Sequence, residues 1–497
     1  MTTPFNPEAD YPDPRDDQQR QADGLASRAQ SGALTDFGLN PHATINEMIE
    51  GIRAARLRIA GLQLEDPPVQ FDVWPDPPPR DPDQPNMGVV ILVARGEMLL
   101  RVPADGPAGP DEAARARETG GDETPPAWQR ADAQLMARGY RQVSDDFPAG
   151  LPLRVYQAEG KEPEQLVADR DQIRAETGAE VDVNYVATLG HLVKADDYPR
   201  KTAAHRCYSP EWIRCHRVIR DITVAVIDTG INHRGRTDGW LTGIPQGPGN
   251  VDPLDVFPVQ VRNGRIIRGD RLLDLSAGHG SFVAGTAEQV APAATIRVYR
   301  EVDTQGTGKI DAIGRAMVQA AEDGADIINL SLGTRTVDNQ PPLAFTTAVE
   351  TIRNEWPGVV IVASAGNMGL EVPMFPAAMK AEGVVGVGAL NPDLTPAPWS
   401  NYGDWVTCSA VGVGIVSTFV HGYEPHQENG ATVTEYFGHN AWALWCGTSF
   451  SAPQIAGAIA QLCQLNDVDP PVALGQLLDG RDTLPGYGYV VPILPGT

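Results

Sequence analysis

At 497 residues and 42% hydrophobic composition, the chain has room for about three domains and a substantial buried core. Its formal net charge of -25 argues against nucleic acid and anionic membranes as partners, because an acidic surface repels phosphate over long range. The five cysteines form no CxxC pair or metal-ligand cluster, so no metal site is expected; Cys207 and Cys215 lie close enough in sequence for a disulfide, but free thiols are the expectation.

The chain starts Met1-Thr2-Thr3-Pro4-Phe5, with no basic region leading into an apolar core, and it has no apolar run of membrane-spanning length. A cytoplasmic location is the resulting expectation. Residues 1–86 read as a leader: an Asp-, Pro- and Gln-rich start, a helix over 44–64 with Ile45, Met48, Ile49, Ile52 and Ile59 on one stripe, and a Pro-rich stretch from Pro67 to Pro85. Residues 87–190 read as a small α/β domain. Within it, Val89–Ala94 and Met98–Val102 flank Arg95-Gly96 as a hairpin, 127–138 and 161–176 are helical, and Leu151–Tyr156 and Val181–Val186 are strands. No catalytic set occurs there, so a structural, inhibitory or regulatory role is expected. Residues 191–220 form a linker.

From residue 221 the pattern changes. Thr223–Ile227, Thr295–Tyr299, Asp326–Ser331, Val359–Ala363 and Val384–Ala389 are near-continuous apolar strands separated by helices at 309–323 and 343–355. Such strands indicate a mainly parallel sheet covered on both faces. Active groups in these sheets gather beyond the carboxyl ends of strands, where Asp228, Ser331 and Ser364 lie. The catalytic domain is expected over 221–463, with 464–497 as an extension packed loosely upon it.

Three distant segments carry a coherent set of functional groups: Asp228-Thr229-Gly230, Gly278–Gly285 and Gly447–Pro453. Ser449 opens a helix predicted over 450–462, where unpaired N–H groups and the helix dipole favour an oxyanion. Pro453 is read as lying in that helix's first turn, where the missing N–H is tolerated. His279, with an intrinsic pKa of about 6.5, suits proton transfer from serine. Asp228 can fix the imidazole tautomer, and Asn367 in Ser364-Ala365-Gly366-Asn367 can donate to a developing oxyanion. Each residue alone reads at least as well as a cap, turn or core residue. Their combination points to an acid, a base, a nucleophile and an amide donor.

These motifs, in the order Asp, His, Ser, resemble the subtilisin-like serine proteases, the subtilases (peptidase S8). The resemblance covers about half the chain. It implies a three-layer α/β catalytic domain beside a smaller N-terminal α/β region. It also implies a serine endopeptidase that forms an acyl-enzyme through Asp228, His279 and Ser449, with Asn367 as oxyanion donor. Ser331, Leu332 and Gly333 are expected to offer an edge to an extended peptide, and Ala363, Ser364, Ala365 and Gly366 to line the pocket before the cut. One departure is Phe282, three residues after His279, where the family usually has a second His; retained activity with altered packing is expected. Family members often carry structural calcium, for which no local carboxylate cage is seen here, and no organic cofactor is expected. By analogy with relatives whose N-terminal domain inhibits the enzyme, Leu189-Gly190-His191 is expected to reach the cleft, with processing between about 190 and 218. The expected partners are a peptide or protein substrate and a regulatory protein. The competing reading is a catalytically retired fold that binds peptides.

Overall fold

The computed structural model describes residues 69–74, 91–103, 124–143, 150–189, 199–202, 220–232, 236–245, 247, 249–254, 260–262, 265–267, 272–428 and 431–494. The helix expected over 44–64 and the cysteines at 207 and 215 lie outside them.

The N-terminal module comprises β1 (Phe71–Trp74), β2 (Ile91–Arg101), α1 (Ala127–Ala137), β3 (Leu153–Gln157), α2 (Pro163–Thr177) and β4 (Val181–Thr188). Strand β1 falls in the stretch read as a Pro-rich leader, and it pairs antiparallel with β2. The hairpin expected at Arg95-Gly96 is instead a kink within one strand. Gly96 adopts φ +68°, and the β2–β4 register shifts between Val93 and Met98. A Cβ on Gly96 would meet the Ala158 carbonyl oxygen. The extended character on either side is present, but as one strand: Met98–Leu100 are held between β3 and β4, so the chain cannot reverse there. Helix α2 begins with a reciprocal capping box between Glu162 and Gln165 and ends at Gly178 with φ +69°.

The second module comprises β5 (Thr223–Asp228), α3 (His279–Val290), β6 (Thr295–Arg300), β7 (Thr307–Lys309), α4 (Ile310–Glu322), β8 (Ile327–Leu330), α5 (Leu343–Glu355), β9 (Val360–Ser364), β10 (Val384–Leu390), β11 (Cys408–Val411), α6 (Thr448–Asn466), α7 (Pro470–Leu478), β12 (Thr483–Leu484) and β13 (Gly488–Val490). Its eight-stranded sheet runs β6-β5-β8-β9-β10-β11-β13-β12 and is parallel except for the last pair. The strands feed two cores by alternation. Val224, Val226, Ile327, Val360 and Val362 face α3 and α6, while Ala225, Ile227, Ile328, Ile361 and Ala363 join α4 and α5 on the other face. That double burial is why these strands read as unbroken apolar runs. The C-terminal tail is not loosely packed: β13 extends the central sheet, pairing with β11.

The two modules share a sheet and a core. Strand β7 pairs antiparallel with β4, adding a strand to the N-terminal sheet. The core on the α4–α5 side runs on into Leu99, Leu135 and Ile173 of the N-terminal module. Among the described residues no helix is long and apolar enough to cross a membrane.

Candidate active site

Asp228 ends β5 and His279 opens α3, and the turns between them allow very close approach. A Cβ on Gly280 would lie 2.2 Å from the Gly230 carbonyl oxygen, so the glycine after His279 is required by the backbone beside it. His279 Nδ1 lies 2.8 and 3.0 Å from the two Asp228 carboxylate oxygens. Thr229 N–H also donates to Asp228 Oδ1 at 2.7 Å. The pair is buried, at 0% exposure for Asp228 and 4% for His279. With Nδ1 donating to the carboxylate, Nε2 is the atom left to exchange a proton.

Asp252, which sequence reasoning did not single out, ties both motifs together. Its buried carboxylate accepts from Thr229 Oγ1 at 2.9 Å, Gly278 N–H at 2.8 Å and Leu254 N–H at 2.9 Å. Thr229 Oγ1 in turn accepts from Gly280 N–H at 3.0 Å. Burial pushes the Asp252 carboxyl up to about 6, against the pull of these hydrogen bonds and of Arg300. Nothing in the local sequence marks Asp252, because its partners come from segments far apart in the chain.

Ser449 is the second residue of α6, within the turn whose N–H groups lack helical partners. The helix begins at Thr448, so Pro453 lies in its second turn rather than its first. A proline there leaves the carbonyl four residues back without its usual donor. That carbonyl belongs to Ser449, and it accepts from Ser331 Oγ at 2.8 Å. Ser331 thus serves here through its hydroxyl, tying the end of β8 to the serine turn. The Ser449 hydroxyl is directed at the carbonyls of Ser331, 3.3 Å away, and Leu189, 3.4 Å away. It makes no hydrogen bond to His279. An aromatic cluster closes over the imidazole: Trp445 meets it edge-on at 5.7 Å and Phe450 lies at 5.4 Å. Phe282 fills the space behind, 4.3 Å from Phe450 and 5.7 Å from Trp445 between ring centres.

Asn367 is oriented by Thr448. Both the backbone N–H and the hydroxyl of Thr448 donate to Asn367 Oδ1, each at 2.8 Å. A backbone N–H must have an acceptor, so the carboxamide cannot be flipped and its Nδ2 points the other way. Of the expected pocket residues, Gly366 N–H donates to Thr448 Oγ1 at 3.0 Å, and the Ala365 carbonyl accepts from Asn401 Nδ2 at 2.9 Å. Ala363 and Ser364 lie inside the sheet, paired to β10.

The edge at Ser331–Gly333 is occupied by the chain itself. Thr188 and Gly333 exchange two backbone hydrogen bonds at 2.8 Å, with Leu332 buried beside them. On the strand's other side Leu189 N–H donates to the Gly306 carbonyl at 3.3 Å, and Thr307–Lys309 pair with Val186–Thr188. The Gly306–Gly308 edge was missed in the sequence; Gly-Thr-Gly before a helix was the available signal. Among the described residues no group of three or more His, Cys, Asp and Glu side chains is placed to hold a metal ion.

The sequence profile of the subtilase family matches residues 220–479, just over half of the chain, and the protein belongs to that family. A thermophilic serine proteinase of Bacillus sp. (strain AK1) is 33% identical over 277 residues, covering 54% of this chain and 59% of that protein. Subtilisin BL of Lederbergia lenta is 27% identical over 256 residues, covering 49% of this chain and 77% of its own. Among solved structures, that of a lanthipeptide protease overlaps 55% of this chain and 85% of its own at 23% identity, with a TM-score of 0.41. The chain therefore spans about three fifths of the length of the first of these relatives.

Proposed function

We propose that the chain is a serine endopeptidase that cuts peptide bonds through an acyl-enzyme. The observation that carries this reading is the buried Asp228–His279 pair, with Nδ1 2.8 Å from the carboxylate, at the carboxyl end of the sheet where Ser331, just past β8, holds the Ser449 turn and Asn367 follows β9. In this reading the Ser449 hydroxyl turns from the carbonyls it now faces toward His279 Nε2 as substrate binds. His279 takes the proton, Ser449 Oγ attacks the peptide carbonyl, and the C–N bond breaks as His279 protonates the departing amine. Water then repeats the sequence on the ester. Asp228 holds the tautomer and stabilises the imidazolium. Asn367 Nδ2 and the Ser449 N–H receive the oxyanion. Loss of one such donor lowers turnover by about 100- to 1000-fold.

We also read the N-terminal module as an inhibitor of the enzyme that follows it. The strand Val186–Leu189 lies between two backbone edges and brings the Leu189 carbonyl to 3.4 Å from Ser449 Oγ. It lies where an extended substrate would bind, and cleavage is expected within a residue or two after Leu189. In this reading the target is a peptide or protein, and a partner that lifts the module would switch the enzyme on inside the cell.

The test is a fluorophosphonate probe on the full chain and on Ser449→Ala, with mass spectrometry to find the label and any new N-terminus. Labelling of Ser449, absent in the variant, and a new N-terminus just beyond Leu189 in the wild type only, are expected. A chain that takes no label and hydrolyses no peptide, even after the N-terminal module is proteolytically removed, would refute the catalytic reading.

A further inference from the structure

Arg335 is a buried cation with no partner. Its side chain lies in a residue only 4% exposed, and both Nε and Nη1 are sealed from solvent with no hydrogen-bond acceptor. Guanidinium groups are almost always paired when buried, because an isolated charge loses its hydration with nothing in return. The nearest acidic residue along the chain, Asp338, is already engaged by Arg170 at 3.4 Å and Arg174 at 3.8 Å. Burial alone draws the Arg335 guanidinium down to about 10, with no opposing carboxylate.

The position of this cation gives it meaning. Arg335 follows the Gly333 edge that pairs with Thr188, and the adjacent Thr334 hydroxyl donates to the Val186 carbonyl at 3.1 Å. The Thr188–Gly333 pair is an isolated bridge, and the Thr334 hydroxyl brings the residue next to Arg335 against Val186. The strand in the cleft therefore passes this segment at a residue whose side chain is aliphatic and can accept no hydrogen bond from a cation.

Resting on the endopeptidase reading above, we propose that Arg335 is a specificity determinant that selects substrates carrying Asp or Glu at the place now held by Val186. The inhibitory strand then lacks the group the cleft is built to receive. A cognate substrate has an advantage over it that does not depend on the scissile residues. With a chain charge of -25 the long-range field disfavours acidic peptides, so the selection must come from short-range hydrogen bonds rather than from steering.

The experiment uses peptides copied from residues 183–192 with Glu or Gln in place of Val186, and the full chain with whatever processing it undergoes. The Glu peptide is expected to show a kcat/KM about 10- to 100-fold above the Gln peptide, the range of a charge-assisted hydrogen bond. Arg335→Gln should abolish the ratio while leaving hydrolysis of the Gln peptide within about threefold, and Arg335→Lys should restore part of it. A second arm needs no catalysis: in the Ser449→Ala chain, Val186→Glu should raise the thermal midpoint, and the gain should vanish when Arg335→Gln is added. Equal hydrolysis of the two peptides by an active enzyme would overturn the proposal. If no peptide is cut and Ser449 takes no probe, the endopeptidase reading fails, and the thermal arm then decides Arg335: no gain from Val186→Glu overturns its role as an acid receptor.

Discussion

Replacing Asn184 with leucine should loosen the N-terminal module from the enzyme. Asn184 is fully buried in β4, and its Nδ2 donates at 2.8 Å to both Glu97 of its own module and Asp311 at the start of α4. Lys309 holds Glu97 at 3.2 Å and Arg315 holds Asp311 at 2.7 Å, so the amide bridges two anchored carboxylates. Arg315, Lys309 and Asn184 together keep the Asp311 carboxyl below the usual carboxylate range despite its burial. Each hydrogen bond to a charged group contributes about 1.5–3 kcal/mol, so the pair is worth about 3–6 kcal/mol. Asn184 Oδ1, however, is buried without a partner, and removing it returns about 1–3 kcal/mol. Subtracting the two ranges leaves about 0–5 kcal/mol, centred on about 2.5 kcal/mol, or a docking equilibrium weakened about 70-fold. In the Ser449→Ala background, where self-cleavage cannot interfere, amide exchange at Thr307–Lys309 and Val186–Thr188 should accelerate by that factor. In the unprocessed wild-type background, initial hydrolysis of a small fluorogenic peptide should rise in parallel. Unchanged exchange at these paired strands would show that the bridge does not hold the docked state, and would refute the reasoning.

Asp252→Asn turns an NH2 toward one of the backbone N–H groups the carboxylate now accepts, at a cost of about 1–3 kcal/mol in alignment. We expect kcat to fall about 10- to 100-fold with KM little changed; an unaffected kcat would remove Asp252 from the positioning of His279. Phe282→His places ring nitrogens in an aromatic cluster, where Phe282 is 0% exposed. The thermal midpoint should drop by about 2–6 °C while kcat/KM stays within about threefold, checked by calorimetry alongside peptide kinetics. Burial raises the Glu301 carboxyl to about 7, outweighing the pull of Arg315 and Arg300. Between its ordinary range and about 7 the folded chain therefore binds more protons than the unfolded chain, and stability falls as pH rises through that window. The fall is at most about 3–4 kcal/mol. Denaturant midpoints at pH 5 and pH 8 should differ less in Glu301→Gln than in the wild type; parallel curves would exclude Glu301 as the source.

The sequence by itself determined the α/β class, the parallel sheet and the order of most of its strands and helices. These are local properties: apolar runs at β5, β8 and β9 record burial on both faces, and helix periodicity survives in any context. The Asp228, His279, Asn367 and Ser449 segments were legible for the same reason, since each motif encodes its own turn. What only the tertiary structure decided were contacts between segments without local signature. Arg95-Gly96 reads as a turn, yet β3 and β4 on either side carry one strand through it with only a kink at Gly96. Pro453 sits deeper in its helix than expected because Ser331 supplies the donor that the proline lacks. Asp252, Asn184 and Arg335 are ordinary polar residues in the linear chain. Their significance arises only where folding removes water from them, and whether a partner then waits at hydrogen-bond distance is a matter of three-dimensional placement that no window of sequence contains.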